Sequence, residues 1–519
     1  NITAPAVANG RDNFLPIVYE GNGTGQRVGN FIPFTDSHTV GNSARFDVGG
    51  SDYLARTPSS NGSQTTWTQS LWIKRGILGG NFASIVTGYA DASNYIWLLA
   101  TDNTDAMHFQ NIDGGGYAGQ FKTNQVFKNT QTWTHLVAVW DTASGGASAD
   151  LVKLYVNGVR VTNWATSNAP SASQVSEINS TSHSHQYNAY NGTQFGDGYL
   201  AEVIFVDGYA LDPSVFGQTD TSTGRWIPKE VTVATLNAAG GGSSGFGTNG
   251  HYLNFADKND LGNDVSGNNN DFTESGLDTT NGSNQMYGTP TRNFSIQNDA
   301  QSNASISVGN LQTTQTASGS GNWGRSKSTI PLPDASKIYI EAYVNEIGNA
   351  SAWGLISSNQ DFASGDGGFS GANAVNMQTY NSGWATSHIY SEGSAVFSRA
   401  ALLYATGNCI QMAINTSTKE VWFGVNNSWF DSSGGTTGNP STGANATCTY
   451  TTDADMFPAV WMYYGSPYSQ PYVTMNYGQF IYLGGSASTL SADAGGQFKY
   501  TPPTDYKALN QDNLEENTA

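Results

Sequence analysis

The chain has 519 residues, with 21 Lys and Arg against 40 Asp and Glu, so only 12% are charged and the formal net charge is −19. No cluster of Lys and Arg exists to neutralise phosphates, which disfavours nucleic acid and anionic membrane surfaces as partners. Aromatic residues at 12% argue for a folded chain, and no apolar run approaches the ~20 residues of a membrane-spanning helix.

Residues 1–40 carry short apolar clusters at 14–19 and 31–34 among scattered Pro and Gly. They read either as an extended arm or as an irregular edge of a first sandwich, and no segment has the form of a signal peptide. Helical periodicity is nearly absent, while β-branched and aromatic runs bounded by Gly, Asn and Ser recur throughout. The stretch 133–140 (WTHLVAVW) predicts a strand that is apolar on both faces, as in a sandwich interior. In 150–162, Val152, Leu154 and Val156 alternate with polar residues, and Val159 and Val161 resume the inward face. Between them Asn157-Gly158 supplies the positive φ angles of a type I′ hairpin. The run 237–245 (NAAGGGSSG) has the composition of a flexible insertion. From there to about residue 300 an Asn/Asp/Gly-rich stretch with few apolar anchors predicts a connector.

The second half repeats the same grammar. Ile410, Met412 and Ile414 alternate, 415–419 turns, and Val421, Phe423 and Val425 alternate back until Asn426-Asn427. Further strands are expected at 337–344, 457–463 and 472–477. The fold class that these patterns imply is all-β: two tandem antiparallel β-sandwiches preceded by an N-terminal extended arm.

Reactive constellations are scarce. Retaining glycoside hydrolysis needs two carboxylates ~5 Å apart on one cleft. The best pairs, Glu202/Asp207 and Glu341/Glu346, are separated by an odd number of residues, which on a regular strand places them on opposite faces. The chain therefore reads as no enzyme. The Gly/Ser runs near 240–245 and 319–321 are linkers and not nucleophile elbows, since neither joins a buried strand to a helix. His183 and His185 share a face in a Ser/Asn-rich loop without a nearby third ligand, so no metal site is assigned. The acidic segment 257–271 lacks the Glu that closes an EF-hand loop; it leaves room for a structural calcium, with Asx turns the simpler account and no other cofactor implied. Cys409 and Cys448 are the two cysteines and can form one disulfide or remain two buried thiols.

Aromatic residues in loop-like settings are the remaining clue, because sugars stack on Trp and Tyr while polar groups fix their hydroxyls. The candidates for ligand binding are Tyr464, Tyr468, Tyr472, Trp429, Trp384, Tyr187 and Tyr190. For each, packing within a loop or at a subunit interface is the competing reading. The loop 464–472, with Gly465, Pro467 and Pro471, stands first among them.

The stretches 43–58 (SARFDVGGSDYLARTP), 67–75 (WTQSLWIKR), 154–158 (LYVNG) and 198–208 (GYLAEVIFVDG) resemble a laminin-G-like, concanavalin A-like lectin module. The version they are most similar to occurs in structural proteins of tailed bacteriophages. The segments 247–255 (GTNGHYLNF) and 289–294 (TPTRNF) resemble the join to a SPRY-like module in such proteins, and 500–510 (YTPPTDYKALN) resembles its close. The resemblance covers about residues 43–514. It departs from the chain in residues 1–40, the arm, and near the Gly/Ser run at 240; beyond the arm it implies a lectin sandwich at 41–232, a connector at 233–300, a SPRY-like sandwich at 301–505 and a tail at 506–519. It further implies a jelly-roll virion surface protein, such as a tail fibre or capsid spike, that binds a host glycan or receptor. Its partners would be other virion proteins and further copies of itself, most simply as a trimer. A purely structural capsid decoration protein is the rival reading. The family supplies no catalytic residue and no fixed ligand motif to carry over.

Overall fold

A computed structural model describes residues 38–79, 82–221, 224–240, 242–298, 302, 304–317, 323–359, 373–381, 386–480, 482–491 and 494–513. Nearly all of residues 1–40, the expected arm, thus lie outside the described residues. Those described fall into two compact units, 38–291 and 292–513.

The first unit is a sandwich of two antiparallel sheets. One runs in the order Val159–Arg160, Val152–Val156, Thr134–Asp141, Thr66–Arg75, Gly198–Asp207, Ser43–Phe46 and Gln285–Met286, with His251–Leu253 also pairing with Gly198–Asp207. The other runs Trp164–Asn168, Gly116–Val126, Ala106–Asp113, Asn94–Thr101, Ala83–Asp91, Ser184–Tyr187, Tyr53–Arg56 and Thr273–Ser275. The Asn157-Gly158 hairpin forms as its sequence dictates, with φ of +47° and +77° and Val156 opposite Val159. Inward-facing aromatics fill the space between the sheets. Trp67 stacks on Trp140 at 6.2 Å between ring centres and meets Phe109 edge-on at 6.3 Å. Burying a large apolar side chain of this kind stabilises the fold by about 1.5–3 kcal/mol.

The first sheet is covered on its outer side as well. Val137, Val139, Ile204 and Val206 point away from the sandwich core and pack under Leu211, Phe216, Val231, Leu236 and Phe246. This second layer explains why the strand Thr134–Asp141 is apolar on both faces. It also corrects the expectation of a flexible insertion at 237–245. Residues Val233–Gly240 form a helix whose start is fixed by reciprocal bonds between Thr232 and Thr235 (2.9 and 3.2 Å). Past its end, Asn237 Oδ1 accepts from the Gly245 N–H at 2.7 Å. One buried apolar side chain, Leu236, anchors the helix to the sheet.

The Asn/Asp/Gly-rich stretch after this helix is likewise no simple connector. It contributes three strands to the first unit, and Leu253, Phe255, Leu261, Phe272 and Leu277 enter its core. Ser43 stands opposite Met286 in the sheet, and its hydroxyl donates to the Gly288 carbonyl at 2.6 Å.

The second unit repeats the architecture. Its first sheet runs Ser305–Ser307, Gln312–Thr314, Tyr472–Asn476, Lys337–Glu346, Cys409–Asn415, Glu420–Val425 and Ser428–Trp429, with Cys448–Thr449 also on Glu420–Val425. Its second runs Trp323–Lys327, Met456–Tyr463, Ala350–Ser357, Ala374–Tyr380, Ser387–Ser391 and Ser394–Arg399. The two runs expected around the turn at 415–419 pair with each other, Ile414 opposite Val421 and Met412 opposite Phe423. Across the core Trp353 meets Phe423 edge-on at 6.4 Å. Residues 506–510 of the expected tail are tied into this unit, with the Tyr339 N–H donating to the Lys507 carbonyl and the Lys507 N–H to that of Lys337, both at 2.8 Å.

Cys409 and Cys448 are free and buried, so the disulfide does not form. Both flank the strand Glu420–Val425, on opposite sides: Cys448 pairs with Val421, while Ile410, next to Cys409, pairs with Val425. Two strand spacings and five residues separate them, roughly 10 Å by 17 Å, beyond the span of a disulfide.

Candidate functional site

The carboxylates considered for hydrolysis are held apart from one another by their own partners. A bulge interrupts the strand Gly198–Asp207 between Ala201 and Ile204, and Glu202 sits in it at φ +49°. Regular alternation therefore does not hold there. Glu202 accepts from the Tyr252 hydroxyl at 2.7 Å and contacts His38 Nε2 at 3.2 Å. Asp207 instead accepts from Ser63 N, Asn179 Nδ2 and Asn249 N at 2.7–3.1 Å. Glu341 is fully buried and accepts from the Tyr339 hydroxyl and the Lys499 and Tyr500 N–H groups, all at 2.8 Å. Burial pushes its carboxyl above the ordinary value against these bonds. Glu346 lies beyond a second bulge and accepts from Gly348 N and Thr406 Oγ1.

Ser70 and His135 are 2.8 Å apart, a pairing that superficially resembles a nucleophile and its base. The Trp226 indole N–H donates to His135 Nδ1 at 2.9 Å, so a neutral imidazole must carry its proton on Nε2 and donate it to Ser70. Such a ring cannot take the serine proton, and burial pushes its pKa down to about 3.

His183 and His185 do not converge. His183 Nε2 meets Glu177 at 2.5 Å, whereas His185 turns into the core beside His251, 5.2 Å between ring centres. In the segment 257–271, Asp264 accepts from Tyr252 N, Ser266 N and Asn270 N, and Asp271 from Asp264 N. Only the Ser266 bond is an Asx turn; the others tie Asp264 and Asp271 to backbone groups six to twelve residues away. Among the described residues no group of three His, Cys, Asp or Glu is placed to hold a metal.

The predicted aromatic candidates scatter. Trp384 lies outside the described residues. Tyr187 is not a loop residue but part of the strand Ser184–Tyr187. It is fully buried, with its hydroxyl donating to Gln69 Oε1 at 2.9 Å and 2.6 Å from His251 Nε2. The sequence around it is Ser/Asn-rich, but its register opposite Val86 and Leu54 turns it inward. Trp429 lies half-buried on a two-residue strand, its ring 6.3 Å from that of Tyr339. Tyr464 and Tyr468 are half-buried on a turn, with Tyr468 N donating to the Gly465 carbonyl. Tyr472 is paired opposite Glu346 and Thr314.

Tyr187 packs in a buried ring cluster with His185, His251 and Phe272, whereas Tyr190 joins a cluster on the outer face of the first unit's second sheet. The loop after Tyr187 folds over that face, fastened where Thr87 Oγ1 donates to the Ala189 carbonyl at 2.7 Å. It sets the Tyr190 ring 5.1 Å from Tyr89, 5.0 Å from Tyr95 and 5.5 Å from Trp97, each edge-to-face. Phe82 lies against Trp97 at 4.6 Å and against His108 at 5.4 Å. Trp97 Nε1 is buried and meets no acceptor, while the residue as a whole is half-exposed. Tyr117, 63% exposed, extends the cluster at the far end.

A row of polar side chains crosses this aromatic strip at Trp97. Strand register aligns Trp97 with Gln110, Gln110 with Gln120 and Gln120 with Asn168, and Asn168 Nδ2 donates to Gln120 Oε1 at 3.4 Å. Beside this row Lys122 and His108 Nε2 both contact Asp102, at 2.5 and 3.0 Å. Burial alone would raise the Asp102 carboxyl, but hydrogen bonds from Lys122, Thr104 and His108 outweigh it and hold the group below the usual carboxylate range.

Trp97, Tyr95 and the amide row are absent from the sequence-based candidates. The segment 94–101 (NYIWLLAT) places Tyr95 and Trp97 two apart, alternating with inward Ile96 and Leu98. That spacing is the available signal, but continuous apolarity makes it look like an ordinary core strand.

No curated protein is a significant sequence match to the chain. Among solved structures, it is similar to mouse laminin α1 domains LG4-5 (10% identity, 90% of this chain and 93% of that one, TM-score 0.30). It is also similar to the SPRY domain of human HERC1 (13%, 34% and 96%, TM-score 0.24). A third is domain 4 of an extracellular arabinanase from Geobacillus stearothermophilus, solved with arabinotriose (22%, 34% and 76%, TM-score 0.25). Residues 48–214 match the family model described as the concanavalin A-like lectin/glucanases superfamily, Laminin_G_3, so the first unit of this all-β chain contains a concanavalin A-like domain.

Proposed function

We propose that the chain is a non-enzymatic adhesion protein that binds glycans on the outer face of its first sandwich. The observation that carries this reading is the half-exposed Trp97, framed by Tyr95, Tyr190 and Phe82 and continued by a row of side-chain amides. Ring faces take the C–H side of a sugar, and neutral amides both donate to and accept from its hydroxyls. The separate engagement of Glu202, Asp207 and Glu341 supports a binding role over hydrolysis. The sequence resemblance to tailed-phage structural proteins supports display on a virion surface, with homo-oligomeric copies raising avidity for host glycans.

A glycan array probed with the purified chain tests the reading. Discrete sugar hits that Trp97→Ala abolishes are expected, together with no release of reducing ends from the bound polysaccharide. A capsid decoration protein without glycan affinity would give no hits and would incorporate stoichiometrically into particles. Hydrolysis that is lost in Glu202→Gln or Glu341→Gln would establish an enzyme instead.

A further inference from the structure

We infer that this face selects uncharged glycan chains, seating one sugar on Trp97 and running outward over Gln110, Gln120 and Asn168 towards the sheet edge. The inference deepens the glycan-binding reading above and rests on it.

Direction comes from the loop carrying Tyr190. On one side of Trp97 that loop covers Thr87, which is fully buried beneath it. Gln186, next in the same row, is itself buried, and its Oε1 accepts from the Gly192 N–H at 3.2 Å. On the other side the row opens progressively, from buried Gln110 through half-exposed Gln120 to exposed Asn168. A chain can leave Trp97 only on that side. Three strand spacings, about 14 Å, separate Trp97 from Asn168, so more than one sugar is engaged.

Charge selectivity comes from what the row offers. Among the described residues the register places Lys122 and His108 on this face, and both are directed onto Asp102. A uronate or sulfate laid along the row would find amides but no uncommitted counter-charge. At the Tyr95 and Tyr117 end it would instead approach Asp91 and Asp113, both exposed. The whole chain adds a repulsive field through its net charge of −19. A neutral chain loses nothing to these terms, and the amide hydrogen bonds it makes are insensitive to salt.

The test is calorimetric titration of the full chain with two length-matched ladders: neutral glucan or mannan oligosaccharides, and acidic ones from alginate and carrageenan. The inference expects neutral oligosaccharides to bind at least about tenfold more tightly than acidic ones, with affinity nearly constant between low and high salt. Affinity should rise with length until the chain passes Asn168. Asn168→Ala and Gln120→Ala should flatten that rise while leaving the shortest ligand unaffected. Acidic oligosaccharides binding as tightly as neutral ones, or a steep fall with salt, would overturn the selectivity while leaving glycan binding intact. No binding by either ladder, or binding untouched by Trp97→Ala, would overturn the glycan reading itself.

Discussion

Tyr187 and Tyr190 are three residues apart and have opposite fates: the first is sealed in the sandwich core against His251, and the second stands on the outer face against Trp97. Substituting them should separate stability from binding. Tyr187→Phe removes the hydroxyl shared by Gln69 and His251 and leaves buried polar atoms unpaired, which costs about 1–3 kcal/mol. Its melting temperature should fall with glycan affinity unchanged in the folded protein. Tyr190→Ala removes three surface ring contacts and should lower the melting temperature too, but it should also weaken binding in the folded protein.

Three buried neutral histidines make the first unit sensitive to acid. Burial pushes His135 and His251 down to about 3 and His185 well below its ordinary value. The unfolded chain therefore binds more protons than the folded one below about pH 6.5. Their contribution is fully present above that pH and is lost as the pH falls towards the folded values, by up to about 1.4 kcal/mol per unit for each group. Urea unfolding at pH 7 and pH 5.5 should show a marked loss in the first unit. An unchanged midpoint would mean that these rings are already charged.

Glu341 is expected to be structural. Three of its acceptor contacts come from a hydroxyl and two backbone N–H groups, so Glu341→Gln turns an amide N–H₂ towards donors. A loss of about 1–3 kcal/mol in the stability of the second unit should result. Denaturant titration of this variant checks it.

The cysteines should be silent. Burial pushes the Cys448 thiol up to about 12 and that of Cys409 higher still, so neither forms a thiolate at neutral pH. A thiol reagent should label both only after denaturation, and reductant should leave the melting curve where it was.

The parts of the fold legible in sequence are those set by local rules. Asn157-Gly158 specifies its turn through backbone sterics alone, and the alternation of Ile410, Met412 and Ile414 specifies a face. The parts that are not legible depend on distant partners. Val137 and Val139 are apolar because Leu211, Phe216, Val231, Leu236 and Phe246 cover them, and nothing near those residues in sequence signals that role. The odd spacing of Glu202 and Asp207 does not by itself place them, because a bulge breaks the alternation on which it relies. Trp97 is hidden in sequence because its strand neighbours are apolar and its exposure is decided by where the sheet's outer face meets solvent.

The pairing of Ser43 with Met286 sets a timetable for biosynthesis. The earlier strand must wait for one that leaves the ribosome more than two hundred residues later before its edge is closed. Until then its hydrogen-bonding edge is open to strands of neighbouring nascent chains. Messages truncated upstream of the Met286 codon should therefore yield aggregating product, and slowing translation should prolong the vulnerable interval.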